Sequence, residues 1–218
     1  MNKKITVEDA AAKIKDGMTV MMGGFLANGG ANRVIDALLK TDVKDLTIIC
    51  NDTSYDAVGL GQLFAAKKIK KVIASYIGAN KASQQQMNDG EIQVEFVPQG
   101  TLAERVRCGG CGLGGVLTQT GLNTIVEEGK QKIEVAGKEY ILETALHADV
   151  ALVGASLADE SGNLVYYGTS QNFNPLMAMA ADVVVAEVDK VVKVGEIAPE
   201  VVRTPAACID FMVYPEEK

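Results

Sequence analysis

Met18-Thr19-Val20-Met21-Met22-Gly23-Gly24-Phe25-Leu26-Ala27-Asn28-Gly29-Gly30 is the stretch that decides how this chain is read. Met18–Met22 is a nearly continuous apolar run, the pattern of a strand buried on both faces. It runs straight into a loop almost without side chains. Val34, Ile35, Leu38 and Leu39 then recur at helical spacing. Strand, glycine turn and helix together open an α/β unit, with the turn at the carboxyl end of the strand. Glycines let a ligand approach the backbone, and N–H groups at a helix start can face an anion. A tight turn without a ligand is the plainer reading of any one glycine. Two adjacent glycine pairs, Gly23-Gly24 and Gly29-Gly30, favour ligand contact.

The same alternation continues outward. Val7, Ala10, Ala11 and Ile14 predict a helix over Val7–Lys15, stopped by Gly17. Leu46–Cys50 reads as a strand ending at Asn51-Asp52. A helix over Gln62–Lys70 leads to a strand at Val72–Tyr76, and a helix at Ala82–Asn88 to a strand at Gln93–Val97, stopped by Pro98-Gln99-Gly100. Thr101 and Glu104 have capping-box spacing for the next helix. Lys132–Val135 and Glu139–Leu142 flank Gly137-Lys138 as a hairpin. Val150–Val153 and Val183–Ala186 are further core strands, and Asn174-Pro175 opens a helix with a cap and an N1 proline. The fold class is therefore α/β: a mainly parallel sheet covered by helices on both faces, as one domain over residues 1–218. Ligands of such sheets bind beyond the carboxyl ends of the strands. The loops 23–30, 51–52 and 98–100 share that edge and form the predicted site.

Composition narrows the function classes. Glycine, at 22 of 218 residues, exceeds the usual ~7% and clusters in loops instead of forming a low-complexity tract. A net charge of −7 argues against general nucleic-acid binding, which needs a broad basic face. The start, Met1–Asp9, has no apolar leader core, and no apolar run approaches a membrane span. The expectation is a cytoplasmic protein without nucleic-acid or membrane partners.

Several motif matches fail on context. Gly110–Gly115 satisfies GxGxxG but follows a helical segment, whereas the dinucleotide fingerprint needs a strand before it. Gly24–Gly29 has phosphate-loop spacing but lacks the Lys-Ser/Thr that would follow. Cys108-Gly-Gly-Cys111 lacks a second ligand pair, and His147 is the one histidine, so small turn residues and no metal are expected. His147 itself reads as a strand-entry residue. Lys67, Lys68, Lys70 and Lys71 read as a solvated helix end that complements the helix dipole, with a phosphate contact as the sharper alternative.

Asp16–Phe25 (DGMTVMMGGF) resembles the signature of the α subunit of family I CoA-transferases, of the acetate, butyrate or acetoacetate kind. The likeness continues in register through Leu46–Asp52 (LTIICND), Val97–Val106 (VPQGTLAERV), Arg107–Thr124 (RCGGCGLGGVLTQTGLNT), Ala158–Leu164 (ADESGNL) and Asn172–Asp182 (NFNPLMAMAAD). It departs at Gly30-Ala31-Asn32, where many relatives carry a proline; this loosens the turn without removing a chemical group.

The resemblance implies exchange of CoA between an acyl-CoA and a free carboxylate through a glutamate, with CoA as substrate and no separate cofactor. That glutamate lies in a Ser-Glu-Asn-Gly motif on the β subunit, which this chain lacks, so an inactive lone chain and an α₂β₂ assembly are implied. Asn51 and Gln99 are implied to reach the reacting carboxyl and thioester, where a neutral amide can donate to a developing oxyanion. Gly23, Gly24, Phe25, Leu26, Ala27, Asn28 and Gly29 are implied to line the CoA or acyl pocket through backbone N–H groups. Asp52 reads as a solvated turn carboxylate. Two alternatives stay open: a non-catalytic ligand-binding module, and a self-sufficient thioesterase or transferase using Asp52 or Glu104.

Overall fold

Val20 and Met22 point to one side of their strand and Met21 to the other, and both sides are fully buried. The same sorting holds along the neighbouring strands. Ile48, Cys50, Val72, Ala74, Val150, Leu152 and Val185 share the face of Val20, while Ile49, Ile73, Ala151, Val153, Val184 and Ala186 share that of Met21. Period-2 alternation with apolar residues at both phases is what a sheet covered on both faces requires.

The computed structural model describes residues 3–215; Met1 and Asn2, where the leader reading begins, lie outside them. Its first half comprises β1 (Lys4–Ile5), α1 (Val7–Ala11), β2 (Thr19–Met22), α2 (Asn32–Leu39), β3 (Leu46–Asp52), α3 (Gly61–Ala65), β4 (Ile69–Tyr76), α4 (Lys81–Asn88), β5 (Gln93–Phe96) and α5 (Gln99–Gly110). There follow β6 (Gly115–Thr118), β7 (Lys132–Val135), β8 (Lys138–Thr144), β9 (Ala148–Ala155), β10 (Leu157–Asp159), β11 (Leu164–Val165), α6 (Asn174–Met177), β12 (Ala181–Val188), β13 (Val191–Val192) and β14 (Phe211–Val213).

Eight strands form one sheet in the order β1-β14-β12-β9-β2-β3-β4-β5, and every pairing in it is parallel. From β2 the chain winds outward to β5. It then returns to place β9 on the other side of β2 and winds outward again through β12. The order thus reverses between β2 and β9. Helices α1, α2 and α3 supply Ala10, Val34, Leu38 and Phe64 to one core; α5 and α6 supply Leu102, Val106 and Met177 to the other. Two smaller sheets, β6-β8-β7 and β11-β10-β13, flank this frame.

Long-range charges tie the connections down. Glu187 on β12 accepts from the Arg33 and Val34 backbone N–H groups at 3.2 and 2.9 Å, and so caps the start of α2, where Ala31 offers no side-chain cap. Burial pushes the Glu187 carboxyl up, against the lowering effect of those N–H groups and of Arg33. Arg105 of α5 donates to Glu95 of β5 and to the Thr144 carbonyl of β8, both at 2.8 Å. Glu143, 1% exposed, is held by Lys130 at 2.6 Å with Arg105 at 3.7 Å. The antiparallel β6-β8-β7 sheet is thereby anchored to the parallel one.

Several local expectations change. The first helix ends at Ala11, and Gly17 instead donates to the Lys44 carbonyl at φ +76°. The helix after Gln62 ends at Ala65, so Lys70 and Lys71 lie on β4 and the four lysines form no helix end. Lys67 pairs with Glu91, Lys71 with Glu95, and the buried Lys68 donates to the Thr41 and Val43 carbonyls. These pairings account for three of the four lysines without a phosphate, and Lys70 is exposed on β4. Pro98 precedes α5, so Thr101 lies inside the helix and buried, while Glu104 pairs with Arg107. Asn174 is the first residue of α6 and not its cap. The hairpin forms, but Ala136 and Gly137 at positive φ close it instead of the expected Gly137-Lys138: Lys138 pairs with Val135, and the second strand runs on to Thr144. Strands β1, β6, β10, β11, β13 and β14 are additions that the sequence reading did not contain.

Burial alone would raise the Glu95 carboxyl, but the hydrogen bonds and charges of Lys71 and Arg105 outweigh it and hold the group below its ordinary value. A depressed folded-state pKa gives stability that is present above the unfolded value and is lost as pH falls through the folded one. Glu95→Gln should therefore lower the urea midpoint at neutral pH, and its midpoint should fall less than that of wild type on acidification below about 4.3. Equal acid sensitivity of the two proteins would contradict this.

Candidate active site

The glycine loop leaves β2 where the strand order reverses, the crevice in which open α/β sheets bind ligands. Gly23 donates to the Leu152 carbonyl at 2.9 Å, extending the β2–β9 ladder by one bond. The chain then turns back on itself: Phe25 N–H donates to the Asn28 carbonyl at 3.0 Å and Asn28 N–H to that of Phe25 at 2.9 Å. Leu26 and Ala27, at φ 47° and 73°, form the two-residue tip. Such a tip normally takes Asn-Gly, and bulkier residues there hold strain that the surroundings must offset. Leu26 N–H bonds both carboxylate oxygens of Asp52, at 3.3 and 3.2 Å, which holds the tip in place.

The loop is clamped from its other side by the segment before α6. Asn172 accepts from Gly24 N–H at 3.0 Å and donates to the Asn28 carbonyl at 3.2 Å. Asn174, wholly buried, donates to the carbonyls of Gly29 and Ser170 at 2.8 Å each and accepts from Gly154 N–H at 3.2 Å. A Cβ at Gly23 would collide with the Asn174 amide, and one at Gly29 with the Ser170 carbonyl. Gly23 is thus required by the buried Asn174 side chain and Gly29 by close backbone packing. Of the loop N–H groups, Gly23, Gly24, Phe25, Leu26 and Asn28 donate within the protein. Among the described residues, Ala27 and Gly29 are the two between 23 and 29 with no such acceptor.

Asn51 and Asp52 are the last residues of β3, and Gln99 is the first of α5, so the strand-end loops expected there are shorter than read. The three nonetheless meet at one edge. A cleft of about 340 Å³ is lined by Phe25, Asn51, Gln99, Phe173 and Leu176 among others. A second, of about 280 Å³, is lined by Phe25, Leu26, Asn51, Asp52, Ser75, Tyr76 and Gln99. Phe25, Asn51 and Gln99 belong to both. Gln99 is exposed, Asn51 is buried, and the exposed rings of Phe25 and Tyr76 give the edge an apolar wall. The Asn51 amide donates to Asp52 Oδ2 at 2.8 Å, and Ser75 Oγ donates to the Asn51 carbonyl at 2.7 Å.

Asp52 is not the solvated turn carboxylate expected from sequence. It is 5% exposed, and besides Leu26 it accepts from Asn51 Nδ2 and from Ser54 N–H, both at 2.8 Å. With both oxygens engaged it is poorly disposed to attack a thioester. Glu104 lines a different cleft, beside Thr101 and Thr118. Burial, then the Asp52 charge, push the Cys50 thiol well up, which keeps it a neutral part of the core behind the site. Gly110 ends a helix and Gly115 begins a strand, the reverse of the dinucleotide order. Among the described residues no group of His, Cys, Asp or Glu is arranged to hold a metal ion. His147 directly precedes β9 and lies 4.0 Å from Asp182. Sequence reading missed Asn172, Asn174, Ser75 and Tyr76 as parts of the site. Asn174 carried a signal, but a helix cap explained it equally well.

An open, all-parallel sheet with a cleft at its switch point, where amide side chains meet an apolar wall, defines an α/β protein with a ligand-sized cleft at the carboxyl edge of its strands. Residues 4–214 match the family model described as Coenzyme A transferase, and the chain belongs to that family. Within it the chain is similar over its length to α subunits, as its motifs indicated. It is 47% identical to the acetate CoA-transferase subunit alpha of Escherichia coli (strain K12), covering 99% of this chain and 98% of that one. It is 49% identical to the acetoacetyl-CoA:acetate/butyrate CoA transferase alpha subunit of Clostridium acetobutylicum, covering 98% of each. Among solved structures, the acyl-CoA transferase YdiF of E. coli O157:H7, as its thioester complex with CoA, superposes with a TM-score of 0.86 at 21% identity. That match covers 98% of this chain, which spans 47% of the length of YdiF. Glutaconate CoA-transferase of Acidaminococcus fermentans superposes at 0.84 with 18% identity, over 97% of this chain and 75% of that one. These two likenesses bear on the fold.

Asn174→Ala should leave the Gly29 carbonyl and the Gly154 N–H without their partner, while the Ser170 carbonyl keeps the Asn172 amide at 3.1 Å, and cost about 2–4 kcal/mol in urea unfolding. A loss below about 1 kcal/mol would show that the clamp is not held by these bonds.

Proposed function

We propose that this chain, working as one domain, is the α subunit of a cytoplasmic CoA-transferase. It moves CoA between a short-chain acyl-CoA (acetoacetyl-CoA, butyryl-CoA or acetyl-CoA) and a carboxylic acid, with the nucleophilic glutamate supplied by a β subunit. The observation that carries this reading is the convergence of Asn51, Gln99 and Phe25 on both clefts of the switch-point edge. Family membership gives that edge its chemistry.

In this reading the partner's glutamate carboxylate attacks the thioester carbonyl and expels the CoA thiolate, leaving an acyl–glutamyl anhydride. The thiolate then attacks the glutamyl carbonyl, releasing the first carboxylate and forming a glutamyl-CoA thioester. The acceptor acid runs the same steps in reverse. Each attack places negative charge on a carbonyl oxygen. The amides of Asn51 and Gln99 can donate to that oxygen without adding a competing charge. CoA is a substrate here and no separate cofactor enters.

The walls also bear on the acid. No Lys, Arg or His lines either cleft, and Asp52 is the one charged side chain there. The second carboxylate of a dicarboxylic acid would have no counter-ion from this chain and would pay the cost of desolvation. The tail of acetate, acetoacetate or butyrate meets Phe25, Leu26, Tyr76 and Leu176 instead. Relatives named for acetate and butyrate are 47% and 49% identical and relatives named for succinyl-CoA:3-ketoacid transfer 45–48%, so the choice of acid rests on the cleft walls; the relatives named alpha subunit support a β partner, and α₂β₂ is the assembly we propose.

The test is to mix the chain with its β partner and follow CoA transfer from acetoacetyl-CoA to acetate, butyrate or succinate, against each chain alone. Transfer is expected in the mixture only, with kcat/KM for succinate at least tenfold below that for acetate. Gln99→Ala should lower kcat by about 10²–10³. Turnover by this chain alone would place the nucleophile within it and contradict the reading, as would a stable complex that transfers to none of these acids.

A further inference from the structure

Asp52 joins two parts of the edge that are separate in sequence. Its Oδ2 accepts from the Asn51 amide at 2.8 Å, its Oδ1 accepts from Ser54 N–H at 2.8 Å, and both share Leu26 N–H at the strained tip of the glycine loop. A carboxylate has acceptors alone, and here every neighbour is a donor. That polarity settles the orientation of the Asn51 amide, since a carbonyl oxygen turned toward Asp52 would face another acceptor. One Asn51 N–H is committed to Asp52, and no partner for the other is found among the described residues. On the far side Ser75 Oγ gives its one proton to the Asn51 backbone carbonyl at 2.7 Å and lies 3.4 Å from Asn51 Oδ1, so the orientation rests on Asp52. Both Asn51 and Asp52 line the cleft that contains Gln99.

We propose that Asp52 is a positioning residue: its buried carboxylate fixes the Asn51 amide with an N–H available to the reacting carbonyl and, through Leu26, sets the glycine-loop tip over the same cleft. It acts through Asn51 and takes no part in bond making. This rests on the CoA-transferase reading above for its kinetic consequence, but not for its structural one.

The isosteric change Asp52→Asn separates position from size. The new amide must set its NH₂ against either Ser54 N–H or the Asn51 amide, both donors. The second is relieved when Asn51 flips and turns its oxygen to the new donor. In the assembled αβ enzyme, Asp52→Asn should lower kcat at least tenfold with KM for the acyl-CoA changed less than threefold. In an Asn51→Ala background the same change should cost less than threefold, because the amide through which it acts is gone. A merely structural role predicts equal losses in both backgrounds, and that result, or an unaltered kcat, overturns the proposal.

Should Asp52→Asn fail to fold, the wild-type chain still decides the matter. Its Asn51 side-chain amide, identified by the resonance lost in Asn51→Ala, should show one proton protected from solvent exchange. Rapid exchange of both protons overturns the proposal. A wild-type enzyme without transfer activity would refute the functional reading, and the exchange measurement would then test the Asp52–Asn51 contact independently.

Discussion

The backbone around the switch point is packed so closely that side chains are excluded. At Gly23 a Cβ would strike Asn174, at Gly29 the Ser170 backbone, and at Gly154 the backbone of Gly29. Three chain segments therefore meet around one side chain, and the Asn174 amide bonds all three. A buried amide can supply two donors and an acceptor at one point, which suits a junction of two carbonyls and one N–H. Everything at the functional edge hangs from that junction. The loop tip carrying Phe25 and Leu26 extends from it on one side, and the residues before α6 that wall the larger cleft extend from it on the other.

The outer parts of the molecule are held by a different means. Glu187 reaches from β12 to the first N–H groups of α2, and Arg105 joins α5 to β5 and β8. These contacts set the position of the helices that follow β2 and β5, and hence of Gln99 at the start of α5. Breaking a buried ion pair on one side only leaves an uncompensated charge, which is why such pairs resist piecemeal change. The active edge is thus supported from behind by charge and from within by amide bonding, while the two cores fix the sheet itself.

The frame was legible in the sequence because its signals are strong and local. Val20–Met22, Leu46–Cys50, Val150–Val153 and Val183–Ala186 are short, mostly β-branched or apolar at both phases and bounded by turn residues, which together point to doubly covered strands. Asn51, Gln99 and the 23–29 loop were legible as neighbours because parallel strands put all their following loops on one edge. Helix ends were not, since long-range partners decide them. Glu187, far away in sequence, caps α2, and the start of α5 at Gln99 leaves Thr101 inside a helix it seemed to begin. Asp52 shows the same limit more sharply. In the sequence it is a polar residue at a strand end able to bond the N–H two residues on, and only the fold brings the Leu26 N–H and the Asn51 amide to bury it. The small strands β10, β11 and β13 are too short to have a period.

The fold and family fix what kind of chemistry this chain serves, and the walls of the cleft bear on which acids it takes. The central claim is that acyl-CoA engages the edge formed by the glycine loop, the end of β3 and the start of α5. Hydrogen exchange of the assembled enzyme, with and without butyryl-CoA, tests it most directly. Slowed exchange is predicted in peptides spanning 23–30, 51–54 and 98–104. Slowed exchange confined to the β10–β13 side of the molecule, with those peptides unchanged, would contradict the account.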